Sequence, residues 1–111
     1  MGDYLTLTEN RDFKRLYSRG KSYVSPVLVT YVMRNRAKTV RTGITTSRKT
    51  GNAVCRNRAR RVIRESFRQL APLVQDGYDF VFVSRARTAY VKSTEVYSAM
   101  EEHFKKAGVF K

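Results

Sequence analysis

The stretch RNRARRVIRESFR, residues 56 to 68, places six arginines in thirteen positions and threads an apolar stripe between them. At 3.6 residues per turn, Cys55, Ala59, Val62, Ile63, Ser66, Phe67 and Leu70 fall on one side. Arg56, Arg60, Arg64 and Arg68 climb the adjacent side at i, i+4 intervals, and Asn57 and Arg61 widen it. Arg58, Glu65 and Gln69 take the opposite flank. Asn52 stands after Gly51, where an N-cap belongs, and Pro72 disfavours continuation far beyond Leu70. The segment therefore predicts a long amphipathic helix with one buried face.

Its other face poses an electrostatic problem. Like charges at i, i+4 repel, and within the run only Glu65 opposes them. Repulsion of this kind makes sense if phosphates arrive to neutralise it, and guanidinium groups bind phosphate bidentately. The whole chain points the same way: 23 Lys+Arg against nine Asp+Glu give +14, with a sequence pI near 10.5. Nucleic acid or an anionic membrane is the usual reason for such a charge. Membrane is the weaker option, because no run of 18 apolar residues exists. The N-terminus MGDYLTLTEN lacks a basic then apolar leader, which argues against secretion. Cys55 is alone, which fits a reduced cytosolic compartment and leaves no disulfide framework or Cys-rich zinc site.

Around this helix the chain reads as one domain over residues 1–111. TLTENRDFKRLYSRGKS predicts a short helix, capped by Thr8 or Asn10, striped by Phe13, Leu16 and Tyr17 and ended at Gly20. KSYV, PVLVTYVMR and TVRTGITTS read as strands, and YDFVFVS, nearly all apolar, as a central one. A last helix runs from about Ser93 to Ala107, buried through Val96, Tyr97, Met100 and Phe104. Glu95 in its first turn, Lys105 and Lys106 in its last and Gly108 beyond suit the dipole and the C-cap. The order predicts an α+β or α/β sandwich.

The turn before the arginine helix, SRKTGN, puts Arg48 and Lys49 at a helix N-terminus, where backbone N–H groups attract anions. It is not a Walker loop, since the G-x-x-x-x-G-K-[ST] spacing is absent. The nine carboxylates are scattered, which does not suit a two-metal protein nuclease. A lone His103 on the apolar side of the last helix suits a packing or surface role, and Cys55 that of a small buried hydrophobe. Phe13 and Tyr17, at i, i+4, and Tyr31 fit core packing; stacking on unpaired bases is the alternative.

KTGNAVCRNRARRVIRESFR closely resembles the signature of the bacterial ribonuclease P protein component, with Arg56, Asn57 and Arg58 at its Arg-Asn-Arg core. NRDFKRLYSRG, the strand with Tyr31, GYDFVFVSR and the closing helix extend the resemblance over nearly the whole chain. It implies an α-β-β-β-α-β-α fold with a central four-stranded sheet, like the second domain of ribosomal protein S5. It also implies a left-handed β-α-β crossover, where the general rule for parallel strands is right-handed. In that family the catalyst is RNA, and the protein grips the 5′ leader of precursor tRNA while endonucleolytic cleavage makes the mature 5′ end.

Carried onto this chain, the resemblance implies an RNA-facing set of Arg48, Lys49, Asn52, Arg56, Asn57, Arg58, Arg60, Arg61 and Arg64. The leader cleft would use Phe13, Tyr17, Tyr31, Thr45 and Ser47. No protein residue is implied as catalytic or metal-binding; Mg²⁺ is expected mainly on the RNA. The expected partners are the catalytic RNA, in a 1:1 cytoplasmic holoenzyme, and precursor tRNA, with no membrane. One departure is Thr46, where an aliphatic residue is more usual. A non-catalytic RNA-binding protein of ribosomal type is the alternative. A DNA-reading factor would want mixed Asn, Gln and Ser on its recognition helix, which this helix lacks.

Overall fold

The computed structural model describes residues 4–111. Five strands form one mixed sheet: β1 (Tyr4–Thr6), β2 (Lys21–Val24), β3 (Leu28–Arg34), β4 (Val40–Thr45) and β5 (Tyr78–Ser84), in the spatial order β1-β4-β5-β3-β2. Three helices accompany it: α1 (Asn10–Arg19), α2 (Ala53–Leu70) and α3 (Ser93–Ala107). The architecture is α+β. No helix among the described residues is long and apolar enough to cross a membrane.

Strand β5 is central, as its apolar run predicts. It pairs parallel with β4 and antiparallel with β3. Alternation splits its side chains between two faces. Phe80 and Phe82 join Leu28, Val32, Val62, Ile63, Phe67, Met100 and Phe104 in the larger core beneath α2 and α3. Val81 joins Leu7 and Leu16 in a smaller core beneath α1, with Phe13, Tyr31, Met33 and Val83 packed against it. Phe67 ties the larger core together, with ring centroids 4.8 Å from Tyr4 and 5.6 Å from Phe82.

Strand β4 passes through the turn Arg48–Thr50 into α2, and α2 returns through a turn at Ala71–Leu73 to β5. This β-α-β unit hangs the arginine helix on the sheet, with Ala59, Val62, Ile63, Ser66, Phe67 and Leu70 buried as the periodicity predicts. Strand β2 ends α1 abruptly. Gly20 donates its N–H to the Leu16 carbonyl, and a Cβ there would lie 2.6 Å from that oxygen. Gly108 closes α3 in the left-handed region at φ 69°.

Three expectations are corrected. The sheet has five strands, not four, because β1 adds parallel to β4; three residues are too few to show alternation. Asn10 is the first residue of α1 rather than its cap, and neither Thr8 nor Glu9 caps it with a side chain. Cys55 is only half-buried, with Sγ 3.3 Å from the Tyr90 hydroxyl, because the first turn of α2 overhangs the core. His103 takes the packing role: it is buried, and its Nδ1 lies 2.8 Å from Thr30 Oγ1.

Candidate nucleic-acid interface

The loop before α2 is fixed from beneath. Thr50 is buried, and its Oγ1 lies 2.6 Å from Ser84 Oγ at the end of β5. Ser47 accepts the Lys49 N–H at 3.3 Å, which shapes the turn. Gly51 has φ 129°, a conformation that favours glycine, and a Cβ there would meet Cys55 Cβ at 2.9 Å. Asn52 caps α2 by accepting the Cys55 N–H at 3.0 Å, the expected cap. Arg48 and Lys49 are left exposed on this rigid turn.

Along α2 the arginines divide. Arg60 donates to Thr46 Oγ1 at 2.8 Å and to Asn57 Oδ1 at 3.3 Å, so the unusual Thr46 steers the guanidinium toward the sheet edge. Arg61 and Arg64 are exposed, and Arg56 lies against the Gly51 carbonyl. None of Arg48, Lys49, Arg56, Arg60, Arg61 or Arg64 has an acidic partner among the described residues. Arg68, one turn further, is held by Glu65. Arg58 turns away: its Nε donates to the Ala89 carbonyl at 2.8 Å and its Nη2 reaches the Val91 carbonyl at 3.4 Å. It clamps the segment after β5 to α2 and does not join the others. Beside it, the Cys55 thiol bonded to the Tyr90 phenol raises the phenol's pKa above its ordinary value.

The predicted cleft residues converge on the face of the sheet that carries α1. Tyr17 and Tyr31 meet edge to face with centroids 5.1 Å apart, and the Tyr17 hydroxyl lies 2.6 Å from Thr45 Oγ1. Tyr17 is 40% exposed, which leaves one ring available at the surface. Phe13 sits deeper. A Cβ on Gly43 would come within 2.5 Å of its Cζ, so the ring occupies the space that glycine leaves on β4. Two concavities flank the tyrosine pair. One, of about 440 Å³, runs between α1 and the end of β4 and is lined by Lys14, Tyr17, Thr45, Thr46 and Arg60. The other, of about 870 Å³, is floored by Tyr31, Val29 and Val83 and rimmed by Ser47, Lys49, Arg85 and Arg87.

Sequence reasoning missed Lys14, Arg85 and Arg87. The signal for the last two was present: cations directly after a central strand stand beside the loop that follows its parallel neighbour. Among the described residues no three His, Cys, Asp or Glu side chains are placed to hold a metal. Asp12 and Asp79, on the α1 face, are both engaged by arginines. This donor set does not fit a Mg²⁺ ion.

The sequence pattern of the ribonuclease P protein family matches residues 1–108. The chain belongs to that family. The ribonuclease P protein component of Clostridium kluyveri is 38% identical over 111 residues, covering 98% of this chain and 99% of that one. That of Clostridium beijerinckii is 40% identical over 94% of this chain and 89% of its own length. The Staphylococcus aureus RNase P protein superposes with a TM-score of 0.84 at 31% identity, covering 96% and 97% of the two chains. The Thermotoga maritima RNase P protein gives 0.80 at 28% identity, over 91% and 96%. Ribonuclease P protein components are the protein part of an endoribonuclease holoenzyme, and the ribosomal-type alternative is not favoured.

Proposed function

We propose that this chain binds the catalytic RNA of ribonuclease P through its arginine helix and presents its aromatic cleft to the 5′ leader of precursor tRNA. The contact set is Arg48, Lys49, Asn52, Arg56, Asn57, Arg60, Arg61 and Arg64, with Arg58 bracing α2 from behind. The observation that carries the reading is the Tyr17–Tyr31 pair, half-open to solvent and bounded by cations on both sides. Aromatic rings in a cationic groove suit a single strand of any sequence, because every base has a π-face. Arg60 touches both regions, so one guanidinium links the helix surface to the cleft. In this reading the RNA supplies the catalysis and holds the Mg²⁺, one protein joins one RNA in the cytoplasm, and the protein alone cuts nothing.

The test is a ratio of affinities. Loss of one stacked base, about 1–3 kcal/mol, should weaken precursor tRNA binding to the reconstituted holoenzyme by roughly 5- to 150-fold in Tyr17→Ala or Tyr31→Ala. Mature tRNA, without the leader, should bind as before. Equal losses for both ligands, with a large fall in Tm, would assign these rings to packing alone.

A further inference from the structure

The end of the sheet away from the signature loop carries a second concentration of arginine. Arg11, Arg15 and Arg19 climb α1 at i, i+4 intervals, the same ladder that α2 shows at Arg56, Arg60 and Arg64. Arg36 in the loop after β3 and Arg41 at the start of β4 stand beside them, and Arg34 at the end of β3 marks the rim, its guanidinium turned over the Tyr78 ring on the opposite face of the sheet. Together the six line a cleft of about 560 Å³. Its floor is built, not incidental. Asp79 is 1% exposed; it takes two bonds from Arg41, at 2.8 and 2.7 Å, and one from Asn35 at 2.7 Å. Arg15 reaches both Asp12, at 2.8 Å, and Asp79, at 3.8 Å.

Three carboxylates, Glu9, Asp12 and Asp79, therefore serve Arg11, Arg15 and Arg41. Arg19, Arg34 and Arg36 are exposed and have no acidic partner among the described residues. The cleft offers no stacking surface, because no aromatic ring is among the residues that line it. Guanidinium groups without a base platform match phosphates rather than unpaired bases. The site is also separate from the aromatic cleft. The seven residues of β5 place its Tyr78 end roughly 20 Å from its Ser84 end, beside the signature loop.

We infer that this cleft is a second RNA site, which takes the phosphate backbone of a further RNA segment while the signature helix and the aromatic cleft are occupied. The inference rests on the reading of the chain as an RNA-binding subunit. It adds a second point of attachment, which would fix the protein's orientation on a large folded RNA. The backbone could belong to the catalytic RNA or to the body of the tRNA, and the two arms below separate them.

The variant is Arg19→Ala/Arg34→Ala/Arg36→Ala, which leaves the Asp79 network intact. Its binding is measured against salt in two arms: the catalytic RNA with the protein, and precursor tRNA with the assembled holoenzyme. Loss of three phosphate contacts should lower the slope of log K against log salt by roughly 2.1–2.7. A drop in the first arm assigns the backbone to the catalytic RNA, and a drop confined to the second assigns it to the tRNA. A control, Lys105→Ala/Lys106→Ala/Lys111→Ala, removes the same charge at the end of α3 and should change the slope far less. Equal change in the control, or none in either arm, overturns the inference. Arg36→Ala alone, in an exposed loop, keeps the test available if the triple variant unfolds; it should lower the slope by roughly 0.7–0.9 in one arm, and no change overturns the inference. The Arg56→Ala/Arg60→Ala/Arg64→Ala variant, measured in parallel, tells the two readings apart. A normal slope there would undo the RNA-binding reading itself.

Discussion

At the scale of single residues, two positions decide how the α1 face is held. Asp79, near the start of the central strand β5, is buried with a charge that Arg41, Asn35 and Arg15 satisfy among the described residues. Its partner Arg41 is held more firmly protonated by that hydrogen bond. Asp79→Asn leaves the guanidinium without its counter-charge and should lower stability by about 3 kcal/mol, near the low end for a broken buried pair because Arg41 keeps some water. Urea unfolding of the variant checks this; a change under 1 kcal/mol would show that the network is not a structural clamp. Gly43 is the second position. Gly43→Ala puts a methyl where Phe13 lies, so the ring must leave β4, and both stability and precursor binding should fall, as thermal melting and tRNA binding together would report. Phe13 thus contributes to the core as well as the cleft wall, whereas Tyr17 is 40% exposed. The sequence could rank neither, since i, i+4 spacing places both on one helical stripe and is silent on how far each overhangs the sheet.

At the scale of elements, α2 carries two classes of arginine that the Arg-Asn-Arg motif does not separate. Arg58→Ala breaks a charged hydrogen bond to the Ala89 carbonyl and should cost about 1.5–3 kcal/mol of stability with little change in salt slope. The Arg56, Arg60 and Arg64 substitutions should do the reverse, each lowering the slope by roughly 0.7–0.9 with Tm almost unchanged. Salt titrations paired with thermal melts distinguish the two, and a fall in slope for Arg58→Ala matching that of Arg60→Ala would place it on the RNA. The distinction was half legible, because helical geometry puts Arg58 on the opposite flank, but which carbonyls it meets there depends on a turn eighty-odd residues into the chain. Helix α3 offers a pH test. Burial first, then nearby Lys106, lowers the His103 pKa from its usual 6.5, against a smaller opposing effect of Glu102. The folded state therefore favours the neutral ring, and the unfolded chain binds more protons as pH falls below about 6.5. Stability present above that pH should decline as pH drops through the lower folded value. His103→Leu should remove this part of the decline, and an unaltered pH profile would show that His103 does not titrate on unfolding.

At the scale of the whole molecule, the fold was legible where pattern and length agreed. The stripe of α2, the apolar run of β5 and the αL glycine after α3 all appear where periodicity and capping place them. What escaped was set by partners distant in sequence. Strand β1 exists because Tyr4–Thr6 lies along β4, some 35 residues on, and Arg85 and Arg87 join the cleft because β5 ends beside the signature loop. The α1 face of the sheet carries the aromatic cleft at one end and the arginine-lined cleft at the other. In the proposed reading that arrangement serves a subunit that positions substrate for the chemistry of its RNA partner. The most direct test is cleavage of a 5′-labelled precursor tRNA, with Mg²⁺, by the RNA-free protein, by a bacterial ribonuclease P RNA and by the two combined. The account predicts no cutting by the protein alone, and cutting at the mature 5′ end by the RNA that the protein strengthens through tighter precursor binding. Metal-dependent cleavage by the RNA-free protein, or an RNA reaction that the protein leaves unchanged at limiting precursor, would contradict it.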